Sequence, residues 1–214
     1  MHIPDGFLST GTWGTLWLAS GAGIGWAAKK AKQALKDKTI PLMGVMSAFI
    51  FAVQMLNFPV LGGTSGHLLG GVLAAVLLGP YAGAIALTCV LAVQCLIFQD
   101  GGLTALGANI FNMAIVGNMG GYFCYRAIQT AIGGQKGILI GSAVAAWFSV
   151  VAASAVCAIE LAVSGVSPLK VALPAMAGVH AVIGIGEAVI TVLVISFVLK
   201  VRPDLIYGGK RRAK

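Results

Sequence analysis

The chain has 214 residues, of which 58% are hydrophobic and only 9% charged, against roughly 25% charged in an ordinary soluble domain. So few charges cannot cover a water-soluble domain of this length, and 30 glycines suit helices that approach closely in lipid. This composition excludes a soluble enzyme, a disordered chain and a disulfide scaffold, and the net charge of +8 has to be located before nucleic acid is considered as its cause.

A membrane-spanning helix needs about 20 mostly apolar residues, with a lower limit near 17. The first such stretch runs from Thr12 to Ala28 and ends in a basic run that begins Lys29-Lys30-Ala31-Lys32. The second runs from Pro41 to Asn57, with proline at an acceptable helix start. Phe58 to Gly66 then reads as turn residues. His67 to Phe98 is apolar throughout, too long for one span and too short for two, and Gly79-Pro80 divides it. The expectation is a short helix over 67–78 and a fuller one over 81–98. Further spans are expected over 105–128, 137–161 and 174–199. The chain thus reads as an all-α integral membrane protein: a bundle of seven transmembrane helices over 12–200, an N-terminal tail at 1–11 and a basic tail at 201–214.

Charge placement sets the expected orientation, because short cytoplasmic loops carry excess Lys and Arg. The 29–38 loop holds five Lys and one Asp, the 126–136 loop holds Arg126 and Lys136, and the tail holds six basic residues from Lys200 to Lys214. With seven spans, all three fall on one side. The N-terminus is therefore expected outside and the C-terminus in the cytoplasm. The basic excess becomes a topology signal and a contact with the lipid bilayer, with no nucleic acid involved. Met1-His2-Ile3-Pro4-Asp5 has no basic stretch ahead of an apolar one, so no signal peptide is expected and Met1 should be retained beside the bulky His2. Cys89, Cys95, Cys124 and Cys157 lie within expected spans as small hydrophobes, without CxxC pairing.

No phosphate-binding GxxxxGK[ST] and no HExxH are present, so any ATP hydrolysis must come from another subunit. The three histidines, His2, His67 and His180, all fall on the expected outer side, as do Gln54, Asn57, Gln94, Asn109 and Asn112. Polar groups within a membrane usually face a cavity or the bundle centre, which suggests a pocket opening outward. The tail has chelating chemistry of its own. The Met1 amine and the His2 amide nitrogen close a five-membered ring on a metal, and the amide with imidazole Nδ1 closes a six-membered one. These three nitrogens share a plane that a nitrogen of His67 would complete to a square, an arrangement suited to Ni(II) or Cu(II). The metal itself favours the deprotonated amide. Eleven tail residues reach up to ~35 Å, and Pro4 and Gly6 favour a turn back over the mouth, with Asp5 available to bond the loop in place.

Met1-His2-Ile3-Pro4-Asp5-Gly6-Phe7-Leu8-Ser9 resembles the N-terminal signature of the NikM/CbiM proteins, the substrate-binding (S) components of energy-coupling factor (ECF) ABC transporters for nickel and cobalt. Gly62 to Gly70, and Phe98 to Leu103 with Ala108 to Met113, are similar to two further motifs of that family. The resemblance implies a metal held by Met1, His2 and His67, with Ni2+ or Co2+ as transported substrate. Asp5, Ser65, Asn109, Asn112 and His180 are expected as supporting or loop-positioning groups. It also implies partners: a transmembrane coupling (T) protein, two cytoplasmic ATPases and a small accessory membrane protein. Ala48 and Ala52, four apart on the second helix, are similar to the patch on which such components dock. The expected protein is a transporter subunit and not an enzyme, in a prokaryotic cell membrane. Alternatives are cobalt uptake for cobalamin biosynthesis, a rhomboid-like intramembrane serine protease using Ser65 and His180, and a passive metal channel.

Overall fold

The computed structural model describes residues 1–34 and 39–208. Lys36, Asp37 and Lys38 of the basic loop, and Lys210, Arg211, Arg212 and Lys214 of the basic tail, lie outside the described residues. Seven helices make the bundle. They are α1 (Thr10–Ala34), α2 (Thr39–Gln54), α3 (Gly71–Leu78), α4 (Pro80–Phe98), α5 (Leu106–Ile110 running on through Phe111–Gly120 and Gly121–Ile132), α6 (Gly134–Val163) and α7 (Leu169–Val201). Between α2 and α3, β1 (Phe58–Pro59) and β2 (Ser65–Gly66) form a small antiparallel hairpin.

The helices differ in kind. Pro80–Phe98, Gly134–Val163 and Leu169–Val201 are each long and apolar enough to cross a membrane. The two longest, α6 and α7, pack along one another more than any other pair. At 1.5 Å per residue, the eight residues of α3 span about 12 Å and cannot cross a bilayer. All eight are buried among the other helices. The middle of α5 is a π-helix over Phe111–Gly120, a geometry rare elsewhere and frequent at functional sites. Its buried Asn112 and Asn118, with Asn109 one turn earlier, add three amides to the buried polar groups of the bundle.

The expected third helix of 67–78 is corrected: helix begins at Gly71, and residues 67–70 are a mostly buried stretch without regular secondary structure. Gly70, at φ 73°, stops the helix from extending backward. Helix α1 begins two residues before the expected Thr12 and runs on through the lysines to Ala34, because Lys is a good helix former whatever its hydropathy. Helix α2 ends at Gln54, three residues short of Asn57. Helix α7 begins at Leu169, with Pro174 inside it, a placement that neighbouring helices in a bundle permit.

Candidate metal centre

The first nine residues do not trail away from the bundle. Met1, His2 and Ile3 are buried, Met1 and Ile3 completely. An extended segment buried in protein needs a partner for each backbone group, and the tail finds them at the start of α5 and in the turn before it. The Ile3 N–H donates to Asn109 Oδ1 at 2.8 Å, and Asn109 Nδ2 donates to the Ile3 carbonyl at 3.2 Å. Gly102 N–H donates to that same carbonyl at 2.8 Å. Asp5 caps the turn, accepting from Leu103 N–H at 3.0 Å, Thr104 N–H at 2.7 Å and the Thr104 hydroxyl at 2.5 Å. Gly102 is required by proximity: a Cβ there would overlap the backbone nitrogen of Asp5 and stand 2.6 Å from the Pro4 carbonyl carbon.

This docking delivers the chain terminus to the hairpin before α3. The Met1 amine donates to the Ser65 carbonyl and, at 2.8 Å, to Ser65 Oγ. The His2 backbone N–H donates to the same Oγ at 3.1 Å. One hydroxyl therefore gathers the two backbone nitrogens that would chelate together. The rings of His2 and His67 lie with centroids 4.6 Å apart and planes 32° from parallel. His67 Nδ1 pairs with the Leu68 carbonyl at 2.8 Å, which leaves its buried Nε2 with no partner. The His2 Nε2 is also buried without a hydrogen bond, and the Asp100 carboxylate stands 3.8 Å from it. Unpaired ring nitrogens in a dry site are costly unless a ligand takes them.

Electrostatics favour coordination over protonation. Burial lowers the Met1 amine from its usual 8.0 to about 5. Burial, with the amine's charge beside it, lowers the His2 imidazole to about 3. Both nitrogens are therefore neutral donors at neutral pH, the form a metal needs. At the rim, the Thr104 hydroxyl and neighbouring amides hold Asp5 below the usual carboxylate range, while burial pushes Asp100 upward. A cavity of about 770 Å³ opens beside His2 and Ser65, with Asp5, Asn57 and Asp100 in its wall. Among the described residues, no group of three or more His, Cys, Asp and Glu converges as a metal site. The convergence here is of two imidazoles with backbone nitrogens.

The remaining expected residues divide. Asp5, within the tail, fastens it to the turn at Leu103 and Thr104, and Ser65 and Asn109 touch the tail directly. Asn112 does not: its Nδ2 donates to Glu160 Oε2 at 2.7 Å, deeper in the bundle. His180 is fully buried, its Nδ1 paired with the Met176 carbonyl one turn back at 2.7 Å. It makes no hydrogen bond with Ser65, whose hydroxyl serves the Met1 amine and the His2 amide, so the pair does not form a protease dyad. Ala48 and Ala52 are both exposed on α2. Two contributors carried no motif as single letters, Thr104 and Glu187, while Gly102 lay within the 98–103 segment without a role of its own. Glu187 accepts from the backbone N–H groups of Leu69 and Gly70. The only signal for it was its cost, since a carboxyl group in the middle of an apolar helix is expensive without a purpose.

A family model described as the cobalt uptake substrate-specific transmembrane region matches residues 2–205. The chain belongs to the CbiM family. A protein of Archaeoglobus fulgidus named as a fused nickel transport protein, NikMN, is 44% identical over 209 residues, covering 96% of this chain and 68% of that one. A fused nickel transport protein of Rhodobacter capsulatus is 35% identical over 230 residues, covering all of this chain and 65% of its own. A protein of Methanosphaerula palustris named as a cobalt transport protein is 33% identical over 224 residues, covering 96% and 92%. The crystal structure of a truncated transition metal transporter matches with a TM-score of 0.89 at 39% identity, over 94% of this chain and 99% of that one. As a CbiM-family member the chain is a transmembrane component of metal transport, and its seven-helix bundle agrees with the expected helix count.

Proposed function

We propose that this chain is the substrate-capture component of an ATP-driven ECF-type importer, binding Ni2+ or Co2+ in a planar all-nitrogen site. The ligands are the Met1 amine, the deprotonated His2 amide, His2 Nδ1 and His67 Nε2. The observation that carries this reading is the convergence at Ser65: a buried amine and a buried amide on one hydroxyl, beside two imidazoles whose centroids are 4.6 Å apart. An amine, an amide and a histidine from one chain end form fused chelate rings, and four in-plane nitrogens favour Ni(II) over Co(II). Copper would bind more strongly by intrinsic affinity, so metal choice in the cell rests on supply as well as on geometry.

Capture takes place on the outer side, with the N-terminus outside and the C-terminus in the cytoplasm of a prokaryotic cell. The polarity of the site's end of the bundle and the lysines and arginines of the other end support that orientation. Two cytoplasmic ATPases, a coupling protein and a small accessory membrane protein complete the importer. The exposed Ala48 and Ala52 are a smooth face on α2 for the coupling protein. Calorimetric titration with nickel, cobalt, copper and zinc tests the site: tight nickel binding in the wild type and none in His2→Ala with His67→Ala is expected, and binding that survives the double substitution rejects the ligand set. Uptake that persists in vesicles without ATPase partners would favour a passive channel.

A further inference from the structure

His67, Leu69 and Gly70 are buried and Leu68 half-buried, yet residues 67–70 belong to no helix or strand. Irregular backbone at such depth survives only where other groups satisfy its polar atoms. Here the partners come from far away in sequence. Glu187, in the middle of α7, turns its carboxyl group onto two successive amides: Leu69 N–H meets Oε2 at 2.8 Å, and Gly70 N–H meets Oε1 at 2.6 Å. From α2, Gln54 Nε2 donates to the Leu69 carbonyl at 2.8 Å. The last carbonyl of interest, that of Leu68, pairs with His67 Nδ1.

These bonds form a continuous chain from Glu187 to an imidazole. The carboxyl group fixes the main chain at Leu69 and Gly70, the Leu68 carbonyl fixes the ring, and the ring presents an unpartnered Nε2. Gly70 allows no slack, because its backbone is at φ 73° and a Cβ there would lie 2.8 Å from Ile50. The carboxyl group also sits at the start of α3, where helix N–H groups have no intrahelical acceptor and negative charge is favoured. A leucine at 187 would serve packing alone with less expense.

We propose that Glu187 is a positioning residue for metal capture: it holds the loop that aims His67 Nε2, with Gln54 bracing the same loop from the opposite side. This rests on the reading of His67 as a ligand. The imidazole's placement is then set by α2 and α7 and not by the tail. Half of the site is built into the bundle before the tail docks, and the tail carries the other half to it.

The test compares nickel titration and the visible absorption band of planar Ni(II) in purified wild type, Glu187→Gln, Gln54→Ala and Asn118→Ala. Glutamine keeps the shape of Glu187 but offers one acceptor where two amides need one each. Its nickel affinity is expected to fall at least about tenfold, the usual scale for a residue supporting a metal ligand, with a displaced or weakened planar band. Gln54→Ala is expected to shift the band in the same direction by less. Asn118, which holds the Pro80 carbonyl at 2.7 Å near the opposite end, controls for general loosening: its alanine variant should melt earlier with an unchanged band. Glu187→Gln with affinity within twofold of wild type and an unmoved band overturns the proposal. So does an equal shift in Asn118→Ala. Should Glu187→Gln fail to fold, an unchanged band in Gln54→Ala rejects the proposal by itself. A wild-type band that survives His67→Ala would instead reject the ligand reading, separately from Glu187.

Discussion

The two ends of the bundle are held together by different physics. At the end where the tail docks, hydrogen bonds join segments about a hundred residues apart: Ile3 to Asn109, Asp5 to Thr104, Glu187 to Leu69 and Gly70. At the other end, ring contacts are more numerous and stand beside a few bonds such as that of Asn118 with the Pro80 carbonyl. Tyr122 stacks obliquely on Tyr125 and meets Tyr207 edge-on, while Trp26 meets Tyr81 edge-on at 5.0 Å. The chain after α7 is tied down there by one backbone bond, from Tyr207 N–H to the Val76 carbonyl. Hydrogen bonds are directional and lose their value within a few tenths of an ångström. Aromatic contacts accept a range of offsets. The end proposed to hold a small ion in a fixed plane needs the first kind of joint. An end that only closes the bundle can use the second.

The contrast predicts a graded series. Adding one residue before Met1, or acetylating its amine, should abolish nickel binding in a titration, because both remove a donor and place atoms where the terminus is fully buried. Retained binding in the extended protein would show that the polar end is not built around the amine. Asn109→Ala comes next. It leaves the buried Ile3 N–H unpaired at about 1–3 kcal/mol, roughly a five- to 150-fold loss in tail docking. Nickel affinity should fall within that range while the bundle stays folded.

A smaller effect follows from the amine's depressed pKa. A free amine takes a proton below 8.0 and the docked one only below about 5. The undocked tail thus binds more protons between those values, so docking strengthens as pH rises from about 5 to 8 and weakens as it falls. Exchange of the Ile3 amide, corrected for its intrinsic rate, should slow across that interval in the metal-free protein. A pH-independent rate would mean the amine is not sequestered. Smallest for the metal, Tyr207→Ala should lower the melting temperature by a few degrees through lost ring packing and leave nickel affinity within twofold. A larger change in affinity would couple the two ends and break the comparison.

Much of this was legible in the letters. Long apolar runs mark helices whatever their neighbours, so the number of helices follows from hydropathy. The helix ends do not, because helix continues for as long as backbone geometry allows and not only while residues are apolar. Lys29, Lys30 and Lys32 extend α1 beyond its apolar run, and Pro174 lies within α7 where hydropathy suggests a start. The order of donor groups on which the proposed chelation rests was also legible, since chelate-ring size depends only on covalent order. Placing His67 at a helix start was the instructive error. Glycine at 70 and 71 leaves the local preference open, and distant Gln54 and Glu187 hold the stretch out of the helix.

By itself, then, the sequence determined a membrane bundle and a chain end whose amine, amide and imidazole follow one another in the order the proposed chelation needs, because hydropathy and covalent order are local properties. Only the tertiary structure decided where that chain end goes and what meets it. Asn109, Gly102 and Ser65 bring the tail to the hairpin, while Glu187 and Gln54 hold His67 in its loop. Those bonds join residues up to 118 positions apart, and no local preference encodes them. They exist because backbone groups buried away from water must find partners wherever the fold supplies them.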